Sequence, residues 1–277
     1  MTTDLSRAER FIEEVKQMTA KPCFTLIPDF NKAPGITDSK LGGLPYWPAK
    51  MAYPECDGQK MSLLAQINFS EIDDNVLLPN EGILQFFIAA NSPNSPCTYG
   101  VNFKNPVLQE SFKIVYHSCI EKPVAIDVPR LEESENSPLH MEVALNIEPA
   151  LSFMNINDPE FNNIYKSVVT ELFHNGNPGE IFQFFNNEEM CAIEQALMFS
   201  PTPGHQITGW PKFVEGDPRN EEQQEQFNTL LLQLGSQFTE GGELLMWGDM
   251  GIAQFFIPQE NLLKHDFSQV LYTFTAS

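Results

Sequence analysis

His117 and Cys119 stand two apart in a short apolar segment, so on a strand their side chains would leave from the same side. Their types invite a metal reading. Zinc usually takes four protein ligands, and nothing near them supplies the rest at short spacing, so a buried His and Cys is the better reading. His140, His174, His205 and His265 are isolated in sequence. No metal and no cofactor is expected. For nucleophilic catalysis there is no G-x-S-x-G elbow, and neighbours such as His265 and Asp266 would face opposite ways on a strand. A triad dispersed through the fold stays open. The glycine pair Gly42-Gly43 lacks both the P-loop lysine and the dinucleotide-binding spacing. Carboxylates are so numerous that nominating two of them as acid and base carries no weight without geometry.

The remaining candidates are binding residues. Tyr46, Trp47, Trp210 and Trp247 lie beside Gly or Pro turns, where such side chains can anchor a ligand or partner. Asp249 sits in the Gly248-Asp249 turn. Against this stands a structural reading, which we favour: the aromatics cap the ends of sheets, and Asp249 bonds its own backbone in a turn that feeds a strand.

These residues must be positioned by short elements. With 22 Phe, 21 Pro and 16 Gly, the composition predicts aromatic strands broken by turns rather than a helical bundle. Apolar runs over Cys23 to Ile27, Ser62 to Phe69, Ile83 to Ala89 and Lys113 to His117 read as strands. Leu5, Ala8, Phe11, Ile12, Val15 and Met18 form one helical face, with Thr3 or Asp4 placed to cap it. A second helix is expected from Asp158 as cap, with Phe161, Ile164, Tyr165, Val168, Val169 and Leu172 on one face, and a shorter one from Asn187 to Leu197. The acidic stretch Asp127 to Glu148 reads as a surface connection with one strand around Met141 to Leu145, and Glu215 to Gln226 as an acidic, Gln-rich loop.

Three blocks recur in the same order. Gly43-Leu44-Pro45-Tyr46-Trp47 matches Gly209-Trp210-Pro211-Lys212-Phe213; Leu64-Ala65-Gln66-Ile67 matches Leu231-Leu232-Gln233-Leu234; and GILQFFI from Gly82 matches GIAQFFI from Gly251. Their offsets are 166, 167 and 169 residues, so order and spacing are both kept. The chain is therefore read as one domain over 1–277, with repeat units at about 22–130 and 200–277 and a helical connection at about 150–199. Gln85 and Gln254 fall inside apolar strands, with Gln66 and Gln233 in the second block. They are expected to be buried and bonded to backbone or to one another, including across the seam between the units.

Charge restricts the partners. The 16 Lys plus Arg against 37 Asp plus Glu give a formal −21, which repels phosphate backbones and anionic lipid surfaces. Nucleic acid and membranes are excluded as expected partners, and a basic protein is the sharper possibility beside plain solubility. The start lacks a signal-peptide pattern, and the five scattered cysteines form no C-x-x-C pair, so the expectation is a cytoplasmic protein with reduced, mostly buried thiols. The oligomeric state is open.

At S-K-L-G-G-L-P-Y-W-P from Ser39, LLAQINFSEI from Leu63, LPNEGILQFFI from Leu78 and MWGDMGIAQFFI from Met246, the chain resembles the YwqG-like family of uncharacterised bacterial proteins. That resemblance implies a mainly β, roll-like fold of antiparallel sheets with a duplicated core and a few flanking helices. It also makes a toxin-neutralising or accessory role conceivable. The expected function is a non-enzymatic protein-interaction module. An enzyme with dispersed residues and a small-ligand binder in a cleft between the repeats are the alternatives.

Overall fold

The computed structural model describes residues 6–73, 77–89, 99–198 and 204–276. Helix α1 (Arg7–Thr19) starts at a capping box: Ser6 Oγ accepts from Glu9 N at 3.2 Å, and the Glu9 carboxylate accepts from Ser6 N at 2.7 Å. The expected caps Thr3 and Asp4 lie outside the described residues. In chain order follow β1 (Lys21–Asp29), β2 (Lys40–Leu41), β3 (Glu55–Cys56), β4 (Gln59–Lys60), β5 (Ser62–Asn68), β6 (Ile83–Ile88), β7 (Phe112–His117) and β8 (Val143–Ser152). Next come helices α2 (Phe161–Phe173), α3 (Ile181–Phe184) and α4 (Asn187–Leu197), then β9 (Gln206–Ile207) and α5 (Glu221–Gln226). The chain closes with β10 (Thr229–Gly235), β11 (Gln237–Thr239), β12 (Gly242–Leu245), β13 (Ile252–Ile257), α6 (Gln259–Leu263) and β14 (Leu271–Thr275).

The fold is mainly β: one antiparallel, nearly barrel-shaped sheet of 10 strands, with 6 helices among the described residues. Its order is β14-β13-β10-β9-β1-β8-β2-β5-β6-β7, while β3–β4 and β11–β12 are separate hairpins. This order is symmetric about the β1/β8 pair. Leu26 N donates to His205 O and Leu145 N to Ser39 O, both at 3.0 Å, so β1 meets β9 as β8 meets β2. Each half of the sheet is thus completed by a strand that leads, in sequence, into the other half.

Curling brings the two halves face to face over one core. Phe86 and Phe255 meet with ring centroids 4.9 Å apart, and Phe112 and Tyr272 at 5.3 Å. Strands β5 and β6 are buried on both faces, which explains their nearly unbroken apolar runs. Their outer face carries a small cluster around Trp47, Leu63 and Phe87, and the other half repeats it with Phe213, Leu230 and Phe256. The amphipathic faces of α1, α2 and α4 close a separate core with Phe11, Tyr165 and Ile193.

Several expectations are corrected. The strand expected around Met141 to Leu145 in the acidic surface segment is β8, which starts at Val143 but runs ten residues to Ser152 through the middle of the sheet, outside both expected repeat units. Asp158 does not cap α2; its Oδ1 accepts from Glu160 N, and Glu160 holds the cap position. The acidic Gln-rich loop folds its second half into α5 on an Asn220 capping box. Of the four described cysteines only Cys23 is buried; Cys56 is half-buried, Cys119 and Cys191 are exposed, and Cys97 lies outside the described residues. No described helix is long and apolar enough to cross a membrane.

Candidate functional site

Block one explains how each half holds its polar centre. At Gly42 and Gly43 the chain makes two successive left-handed steps (φ 67° and 69°), and Thr208 and Gly209 repeat them (φ 60° and 78°). Gly43 packs against the Glu142 side chain, which can give way, so it is the positive φ that calls for glycine. The turn delivers the next backbone unit, Tyr46 or Lys212, onto a buried glutamine pair.

In the first half Gln66 and Gln85 face each other across β5 and β6. Tyr46 N donates to Gln66 Oε1 at 2.9 Å, and Gln85 Nε2 donates to Tyr46 O and to Gln66 Oε1, both at 2.8 Å. Gln66 Nε2 donates to Ile36 O and Asp38 O. The second half repeats the ladder: Lys212 N donates to Gln233 Oε1 at 2.8 Å, and Gln254 Nε2 to Lys212 O at 2.7 Å and Gln233 Oε1 at 3.0 Å. Each pair closes within its own half, not across the seam. All four glutamines have no exposure to solvent, and their role here is to hold the block-one turn.

The halves differ at the end of the ladder. With both amide hydrogens of Gln85 committed, its Oε1 can only accept, so His117 Nε2 carries the proton in their 2.9 Å hydrogen bond. His117 Nδ1 therefore keeps a lone pair, and no hydrogen bond to it is formed among the described residues. Burial pushes the imidazole pKa down to about 4, so the ring is neutral at physiological pH. Tyr46 and Trp47 hold the ring edge-on, at 5.1 and 5.3 Å between centroids. His117 is 6% exposed and forms part of a surface cleft of about 270 Å³ with Pro48, Lys50, Met51, Tyr116, Ser118, Cys119 and Glu121. Tyr46 Oη accepts from Glu121 N at 2.7 Å, which fixes the loop that forms the rim.

In the second half Thr275 pairs with Ile252 as His117 does with Ile83. Gln254 Oε1 and Thr275 Oγ1 are both buried without a hydrogen-bond partner among the described residues. Lys212 replaces Tyr46 here. Burial lowers its pKa to about 8 against a raising interaction with Cys23, whose own thiol is pushed up by burial. Lys21 lies 3.2 Å from the Trp210 ring centroid, and burial raises the pKa of nearby Asp158. No group of three or more His, Cys, Asp or Glu is placed to hold a metal ion among the described residues.

A sequence-family model described as Domain of unknown function (DUF1963) matches residues 39–275. The chain belongs to this family. Among curated proteins, none matches the chain. The family match takes in both ladders and the His117 cleft; β1, with Lys21 and Cys23, precedes it.

The residues singled out in the sequence do not form one site. Tyr46 and Trp47 are both buried against His117. Trp210 is half-buried and tied by Nε1 to Thr19 O, whereas Trp247 is fully buried against Tyr99, with its Nε1 unpartnered among the described residues. Asp249 is exposed on the turn before β13. His117 was visible in sequence only as a neighbour of Cys119, and Lys212 only as a mismatch in block one. That mismatch was the available signal.

Proposed function

We propose that this chain is a non-enzymatic interaction module that binds a basic protein partner in the cytoplasm, and that within its family it is a YwqG-like member. The four sequence blocks quoted above support the membership. The observation that carries the interaction reading is the disposition of charge. Cations are few and several are consumed internally: Lys40 and Lys212 are buried, Arg219 is paired to Asp217 at 2.6 Å, and Arg130 to Glu132 and Glu142 at 3.3 and 3.2 Å. Glu133, Glu135, Glu215, Glu221, Glu222 and Glu225 are exposed. The exposed acids thus present the formal −21 to solvent with few free cations among them, favouring fast encounter with a basic protein and disfavouring nucleic acid and anionic membranes. A toxin-neutralising or accessory role fits the same chemistry.

Affinity capture from cytosol at low and high salt tests the reading. Basic partners lost at high salt support it; acidic or salt-insensitive partners alone overturn it. One observation favours a second reading, an enzyme of dispersed residues: the perturbed cluster Lys21, Cys23, Asp158 and Lys212 in the second half. Turnover in a metabolite screen that is abolished by Lys212→Met would favour it.

A further inference from the structure

We infer that the cleft beside His117 is the anchoring subsite for an arginine side chain of the basic partner, whose guanidinium donates to His117 Nδ1 and to the Glu121 carboxylate. The inference rests on the interaction reading and gives it a location. Its starting point is the ladder: Gln85 fixes the proton on Nε2, which leaves Nδ1 as the ring's acceptor, and His117 is one of the residues that line the cleft. A neutral ring is needed for that role, because an imidazolium would repel a cation and offer a donor in place of the lone pair.

The cleft's size and lining select the occupant. About 270 Å³ is below the roughly 300–1,000 Å³ of pockets for drug-sized ligands and suits one inserted side chain. Pro48, Met51 and Tyr116 give the wall apolar surface for an aliphatic stem, while His117, Ser118 and Glu121 supply acceptors. Several acceptors in a small space match the flat, five-donor fork of arginine better than the point charge of lysine. Lys50 also lines the cleft, and its charge opposes a guanidinium. Removing Lys50 should therefore tighten arginine binding, whereas an anion site would be weakened by the same change. The second half carries no copy of the subsite, since Thr275 stands where His117 would be and the buried Lys212 replaces Tyr46.

The test is a titration of the full chain, labelled with ¹⁵N in its histidine rings, with N-acetyl-arginine amide. Parallel titrations use the citrulline analogue, which keeps the shape without the charge, and inorganic phosphate. A saturable upfield shift of the His117 Nδ1 resonance with the arginine compound alone is expected. Both Glu121 and Lys50 are exposed, so their variants should fold normally. Glu121→Gln should weaken arginine binding about tenfold, the effect of one charged hydrogen bond, and Lys50→Ala should strengthen it severalfold. No saturable response at His117, or a response to phosphate that Lys50→Ala removes, overturns the subsite. Capture of a salt-sensitive basic partner that is undiminished by Glu121→Gln also overturns it, while leaving the interaction reading in place. Arginine-amide binding with no such partner in cytosol overturns the interaction reading instead.

Discussion

Replacing Gln85 with leucine removes an amide of nearly the same size from a position with no solvent exposure. The variant strands the His117 Nε2–H and takes a donor from Tyr46 O, while Gln66 Oε1 keeps its bond from Tyr46 N. The matching change in the second half, Gln254→Leu, takes a donor from Lys212 O and leaves Gln233 Oε1 bonded to Lys212 N. It also deletes Gln254 Oε1, an acceptor that has no partner to lose among the described residues. The common losses cancel in the comparison. What remains is one newly stranded donor in the first variant and one relieved acceptor in the second, each worth about 1–3 kcal/mol. Gln85→Leu should thus be less stable than Gln254→Leu by about 2–6 kcal/mol, equivalent to at least about 4 °C in melting temperature for a chain of this size. Urea and thermal unfolding followed by tryptophan fluorescence measure both. Equal stabilities, or a less stable Gln254→Leu, would refute the ladder argument and with it the tautomer assigned to His117.

Other outcomes follow from the same structure. His117 and His205 both have folded pKa values lowered to about 4 by burial, while the unfolded chain titrates near 6.5. The unfolded state therefore binds more protons between these values, and stability should fall as pH drops through that window, approaching ~3 kcal/mol for each residue below pH 4. Acid titration of His117→Gln and His205→Gln variants should show a shallower fall; an unchanged slope contradicts the burial effect. Lys212 has its pKa lowered to about 8, so between pH 8 and the unfolded value of 10.5 the unfolded state holds more protons and stability rises with pH. The stability difference between wild type and Lys212→Met should consequently change across that window and be flat at pH 6 to 7. Charge reversal separates surface from structure: Glu133→Lys and Glu135→Lys, both exposed, should alter stability by less than about 0.5 kcal/mol. Glu132→Lys should cost about 1–3 kcal/mol, because Glu132 accepts from Gly43 N at 3.1 Å and pairs with Arg130.

Much of the fold could be read from sequence because period and punctuation agreed. The run Ile83 to Ala89 became β6, Ser62 to Phe69 became β5, and Asn187 to Leu197 became α4, since each combined an apolar pattern with clear ends. The length and central place of β8, expected only as a strand around Met141 to Leu145, were obscured by its composition. Asn146, Glu148 and Pro149 are exposed on it, so a strand at the middle of the sheet reads like a surface segment. The glutamines were expected to be buried, but their partners depended on register, which local sequence does not encode. Trp47 announced itself as a loop aromatic, yet it turns inward to cover the outer face of its half, as Phe213 at the matching place in block one does in the other. The His117 cleft was the hardest to see. Its lining comes from two stretches, 48–51 and 116–121, brought together by loop contacts such as the Pro48–Pro123 bridge and the Glu121 N–Tyr46 Oη hydrogen bond, and the single histidine matters only because Gln85 fixes its proton.

Electrostatic capture of a basic partner is tested most directly by the association rate of that purified partner across ionic strength. Between about 20 and 300 mM salt the Debye length shrinks from roughly 20 Å to below 10 Å, so steering by the exposed acids is largely screened. The expected result is an association rate that falls at least about tenfold, with dissociation changing much less and Glu133→Lys/Glu135→Lys starting from a lower rate at low salt. An association rate that is flat across that range, in wild type and variant alike, would contradict the account.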